Sequence, residues 1–160
     1  MDAKAPTVAE AIRQTKPFAS KRQEGLLALV LAAETVRWRF AQLVESRGEV
    51  TAQQYNVLRI LRGAGAEGLP TLSIVERMIE NAPGITRLIA RLEAKGLVGR
   101  NRSAGDRRQV FCRITPRGLA KLKALDAVLN QIDEDALGCL NENEVATFIR
   151  LLNKVRIHQP

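Results

Sequence analysis

The helical period of this chain breaks at Gly96, and that break constrains the fold more than any other feature. In PGITRLIARLEAKGLVGR, residues 83–100, Ile85, Leu88, Ile89 and Leu92 recur at i, i+3, i+4 and i+7, the apolar stripe of a helix. Arg87, Arg91 and Lys95 stand four residues apart on a different face. Beyond Gly96, LVGR and RQVFCRI are short β-prone segments separated by the polar, glycine-containing NRSAGD, which reads as a hairpin with Arg102, Arg107 and Arg108 at its tip. The helix has one side to bury and one to offer, and the hairpin beside it is basic.

The flanking pattern is helical. Ser20 with Gln23 resembles a capping box, and apolar residues from Leu26 to Val44 repeat at helical spacing until Gly48. Thr51 with Gln54 caps a second helix, with Tyr55, Leu58 and Leu61 on its core face, before the turn RGAGAEG. Thr71 starts a third helix carrying Val75 and Met78, and Asn81 caps a fourth with Pro83 in its first turn. After the hairpin, Thr115 and Pro116 open a fifth helix with Leu119, Leu122, Leu125, Leu129 and Ile132 on one face. Asn141 with Glu144 opens a sixth, apolar at Phe148, Ile149, Leu152 and Val155, with Leu140 and Val145 as a staple. Residues 1–19, with two prolines and weak periodicity, read as a flexible arm.

Charge narrows the partners. The 160 residues carry +8, and +7 of it lies between Gly84 and Arg117. Such a patch attracts nucleic acid or an anionic surface. LLALVLAA, residues 26–33, is far shorter than the about 20 residues a bilayer needs, so no membrane partner is expected. Cys112 and Cys139, without a secretory signal, read as free thiols in the cytoplasm, the favoured reading being buried or inert. His158 is the one histidine, and no Cys/His cluster has zinc-ligand spacing, so no metal is expected. Without a Gly-rich phosphate loop or a Ser/His/Asp set the common catalytic arrangements lack their parts, which argues against an enzyme and against a cofactor.

Three short helices followed by a basic hairpin make a winged helix-turn-helix. A helix with Thr86 and Arg87 in its first turn can enter the major groove, where arginine reaches guanine O6 and N7; Arg91 faces the groove and Lys95 lies nearer the DNA backbone. The rival reading is a helical scaffold whose basic patch binds RNA or anionic surfaces. Sequence-specific RNA binding usually stacks bases on aromatic side chains, and Phe111 is the one aromatic residue in the basic window.

The segments TAQQYNVLRIL, LPTLSIVERM, GITRLIARLEAKGLVGR and DRRQVFCRITPRG together resemble the multiple-antibiotic-resistance regulator (MarR) family of bacterial winged-helix transcription factors, over roughly residues 25–157. The resemblance implies a homodimeric repressor bound to a pseudo-palindromic operator in double-stranded DNA. Its organisation would be mainly α with a small β-hairpin wing: an arm at 1–19, a dimerisation helix at 20–48, a winged helix-turn-helix at 49–115 and C-terminal dimerisation helices at 116–160. Thr86, Arg87 and Arg91 match recognition-helix positions that face DNA. Arg107 and Arg108 match the wing, where the family places an arginine in the minor groove, and Asp106 matches the acid that orients it. A small aromatic or phenolic effector is a further implied ligand, with Trp38, Arg39 and Tyr55 as candidate pocket residues. The chain departs from the family at Ile79 and Glu80, where a glycine and an apolar residue are usual, and at Val75, where alanine is common.

Overall fold

The structure, a computed structural model, describes residues 6–80, 82–102 and 110–158. They form seven α-helices, a 3₁₀ turn at Gly65–Glu67 and a three-stranded antiparallel sheet. Two compact units, 1–39 and 40–160, divide inside the long second helix.

In the first unit, helix α1 (Val8–Ala11) is one turn inside the segment read as an arm. Four residues are too few to show a period, so no pattern announces it. A reciprocal cap holds it: the Glu10 N–H donates to Thr7 Oγ1 at 3.3 Å and the Thr7 N–H donates to Glu10 Oε2 at 2.7 Å. That backbone donor also lowers the Glu10 carboxyl below its ordinary pKa. Helix α2 (Lys21–Gly48) begins where Ser20 Oγ accepts the Gln23 N–H at 3.2 Å. The return bond comes from Ala19 N–H to Gln23 Oε1 at 2.7 Å, one residue outside the box expected.

The second unit is built around helix α3 (Ala52–Gly63). The Gln54 N–H donates to Thr51 Oγ1 at 3.2 Å and the Thr51 N–H donates to Gln54 Oε1 at 3.1 Å, the capping box its sequence announces. Every residue from Gln54 to Leu61 except Arg59 is buried, a wider face than Tyr55, Leu58 and Leu61 alone. A helix covered nearly all round lies at the centre of its domain. Each fully buried leucine in this core contributes roughly 1.5–3 kcal/mol.

Helix α4 (Thr71–Val75) is shorter than its apolar pattern suggests. The N–H groups of Arg77 and Met78 donate three residues back, to Ile74 and Val75 carbonyls, so the chain tightens into a turn and Met78 falls beyond the helix. Met78 still packs on the core and accepts the Asn56 Nδ2–H at 3.7 Å. Helix α5 (Ile85–Ala94) starts after Gly84, so Pro83 precedes the helix rather than sitting in its first turn. The residue before a proline resists helical geometry, which keeps Ala82 out of the helix. Asn81, the expected cap, lies outside the described residues.

At the other end of α5, Gly96 adopts φ +67°; its N–H donates to Glu93 O at 2.8 Å and the Leu97 N–H donates to Leu92 O at 3.0 Å. This Schellman ending needs a residue free to enter the left-handed region, hence the glycine, and buries Leu97 near Leu92.

Strands β2 (Val98–Arg102) and β3 (Val110–Ile114) form the expected hairpin, from Val98 opposite Ile114 to Arg102 opposite Val110. A third strand, β1 (Leu69–Pro70), pairs with the other edge of β3, Leu69 opposite Cys112. The sheet order is β1-β3-β2. Two residues ending in proline carry no period, so β1 escapes sequence reading.

Helix α6 (Pro116–Leu137) is capped by Thr115, whose Oγ1 accepts the Gly118 N–H at 3.0 Å. The Thr115 hydroxyl donates to Gly96 O at 2.7 Å and its N–H donates to Leu97 O at 3.1 Å. A Cβ at position 118 would lie 2.4 Å from Leu97 O, so only glycine permits this approach. Leu122 and Leu125 are buried, while Leu119, expected on the same face, is 43% exposed. Helix α7 (Glu142–Ile157) has its Asn141–Glu144 capping box but buries no residue in the chain.

Candidate nucleic-acid interface

Helix α5 presents two chemistries from one short sequence. Ile89 and Leu92 are buried, and Ile85 and Leu88 pack against the core, so the stripe read from the spacing docks the helix on α3 and the sheet. Thr86, Arg87 and Arg91 are exposed. Among the described residues no side chain caps its N-terminus, and Gly84 there has φ +90°. The Arg87 N–H turns back to Gly84 O at 2.9 Å, which leaves the Ile85 and Thr86 N–H groups and the positive end of the helix dipole for an anion. A shallow concavity of about 250 Å³ lies at this end, lined among others by Gln53, Pro83, Gly84, Arg87 and Arg91.

Arg102 ends β2 and borders the wing tip. Asp106, Arg107 and Arg108 lie outside the described residues. Arg100, midway along β2, reaches back to α5: its Nε donates to Glu93 Oε2 at 2.6 Å, and Nη2 pairs with the same oxygen. The contact ties the base of the wing to the helix, and a seven-residue separation across a left-handed turn gives no sequence rule for finding it.

Lys95 stands apart from the two arginines. It is the C-cap of α5, and its ammonium donates to the Glu49 carbonyl at 2.6 Å, just past the end of α2. The Glu49 carboxylate in turn meets Lys121 Nζ of α6 at 3.3 Å. Nothing in the local pattern marks Glu49 for this part.

Of the candidate effector residues, Trp38 and Arg39 are exposed at the end of the first unit, Trp38 to 65%. Tyr55 is buried in the second, its ring edge-on to Phe40 with centroids 5.4 Å apart. Burial raises its hydroxyl pKa above the ordinary value. Cys112 is buried in β3 with Thr71 Oγ1 3.9 Å from its sulfur, and burial pushes its thiol pKa up. Cys139 is exposed. Among the described residues no cluster of side chains could hold a metal, and no helix is long and apolar enough to cross a membrane.

The MarR family model matches residues 50–110, which run from the residue before the cap of α3 to the first residue of β3. The chain is similar to a MarR transcription factor from Planctomyces limnophilus, at 40% identity and a TM-score of 0.67, over 86% of this chain and 98% of that one. It is also similar to the HTH-type transcriptional repressor NicR of Pseudomonas putida, 33% identical over 107 residues, 67% of this chain and 66% of NicR. Bordetella bronchiseptica BpsR, whose structure addresses regulation of its DNA binding by 6-hydroxynicotinic acid, is 27% identical with a TM-score of 0.76, over 90% of this chain and all of that one.

Proposed function

The chain belongs to the MarR family of DNA-binding transcription regulators, and from that premise we propose that it is a homodimeric repressor whose two α5 helices read the halves of a pseudo-palindromic operator. Regulation, not catalysis, is the activity of the family. The observation that carries the proposal is the division of α5: its apolar stripe is spent on the core while Thr86, Arg87 and Arg91 remain exposed at an N-terminus that no described side chain caps. Arg87 reads base edges, most simply a guanine, and Thr86 and Arg91 flank it. Arg102, Arg107 and Arg108 act through phosphate charge and minor-groove width, with Asp106 orienting the wing arginines.

Dimerisation uses the exposed apolar residues of α2, α6 and α7. Leu26 and Val30 on α2 and Ile149, Leu151, Val155 and Ile157 on α7 are 47–75% exposed in the single chain. Covering such faces calls for an interface of more than about 2,000 Å². The proposal extends to a small aromatic or phenolic effector that releases the DNA, with Trp38, Arg39 and Tyr55 as first candidates; the likeness to BpsR supports it. The site of action is the cytoplasm, where the DNA lies.

Selection of random duplex DNA on the purified protein tests the proposal. The expected result is a motif with twofold character and half-sites about 34 Å apart, bound with a steep salt dependence. A motif without twofold symmetry, or equal competition by RNA, would overturn it.

A further inference from the structure

We infer that Lys95 is a positioning residue: with Glu49 it latches the C-terminal end of α5 to the corner between α2 and α6, and it spends its charge there rather than on a DNA phosphate. The inference rests on the operator-binding reading for its consequence and on the geometry alone for its structural part.

Three contacts meet at Glu49. It follows the last residue of α2, and its N–H donates to Glu45 O at 3.1 Å, closing that helix. Its carbonyl accepts the Lys95 ammonium at 2.6 Å, from the C-cap of α5. Its carboxylate meets Lys121 Nζ at 3.3 Å, from α6. One residue therefore joins the end of the reading helix to two helices whose faces lie in the proposed dimer interface.

The backbone at this point is unusual. Glu49 has φ +53°, a left-handed conformation that glycine would ordinarily supply. A glycine stands next to it, but Gly48 is used for something else: a Cβ there would lie 2.8 Å from Leu125 Cδ1 of α6. Close packing of α2 on α6 takes the glycine, and the left-handed turn falls to a glutamate. A non-glycine residue persists in this region only when its surroundings hold it, and here the bonds on its backbone do so: its N–H to Glu45 O and its carbonyl from Lys95.

The electrostatics favour the same arrangement. A carbonyl just past the end of a 28-residue helix lies at the negative end of its dipole, and Lys95 sits at the negative end of α5 as well. A single ammonium satisfies both. Four residues from Arg91, Lys95 shares the spacing of the groove-facing arginines and not their environment.

Salt dependence separates a latch from a phosphate contact. Each lost phosphate contact lowers the magnitude of the log–log salt slope by about 0.9, hence by about 1.8 for a dimer. We expect Lys95→Met to keep the wild-type slope while the ratio of operator to random-duplex affinity falls on the order of tenfold, because a charged hydrogen bond that orients α5 is gone. In the DNA-free protein, amide exchange across residues 88–97 should accelerate. A slope reduced by about 1.8 with operator and random DNA weakened alike would overturn the inference, and so would unchanged exchange in the free protein. If Lys95→Met does not fold, Lys121→Met removes the other contact to Glu49. It should lower the operator ratio at constant slope and loosen the same amides, and wild-type values for both would equally overturn the latch. Should the wild-type protein select no operator, the operator reading fails, and the exchange measurement still decides whether the latch exists.

Discussion

Helices α3 and α7 begin with the same device and end in different surroundings. Each opens with a reciprocal capping box, Thr51 with Gln54 and Asn141 with Glu144. Yet α3 is buried from Gln54 to Leu61 except at Arg59, while α7 has no buried residue and leaves Ile149 53% and Val155 52% exposed. An apolar stripe tells that a helix is meant to be covered; it does not tell by what. In α3 the cover is the rest of the same chain, and in α7 we assign it to a second copy.

The largest test of that contrast is Leu58→Ala in α3, which should destabilise the protein by about 2–5 kcal/mol, read by denaturant unfolding at any protein concentration. Phe148→Asp on α7 should act on assembly instead. A charge placed in the subunit interface should raise the dimer dissociation constant by about a hundredfold or more, seen by sedimentation, while each chain keeps its helical content. If Phe148→Asp stays dimeric at low micromolar concentration, α7 is not the covered face.

Next in size is Arg87→Ala, which should cost about 1–3 kcal/mol on the operator and relax preference at one position per half-site. Uniform weakening on all DNA would reassign Arg87 to the phosphates. The smallest effects come from the caps: Thr51→Ala and Asn141→Ala should each cost about 1 kcal/mol. The loss at Thr51 should be independent of protein concentration, and the loss at Asn141 should appear in the concentration dependence of the melting temperature.

What was legible in the sequence follows the same division between local and tertiary. The order of elements, the stripe of α5 and the caps at Thr51, Thr115 and Asn141 are written in neighbouring residues, and the structure has them. The start of α5 was misplaced because Pro83 disfavours a helical Ala82, and α4 was overextended because its last N–H groups shift to a three-residue spacing. Strand β1 exists because β3 has a free edge for it, which no property of Leu69 and Pro70 reveals. At the site, the exposure of Thr86, Arg87 and Arg91 was readable from helical geometry. The Arg100–Glu93 pair and the meeting of Lys95 with Glu49 were not, since both depend on how separate elements come together.

The joint between α5 and α6 has a mechanical consequence. At Gly118 the first turn of α6 comes so close to Leu97 O that no side chain fits between, and Thr115 spans the gap with two hydrogen bonds. A hinge without compressible filling has no slack. The 22 residues of α6 make a rod of about 33 Å, so a turn of about 5° at this joint moves its far end by about 3 Å. A displacement at the far end of α6 therefore reaches the end of α5 as a small rotation, undamped by the joint between them.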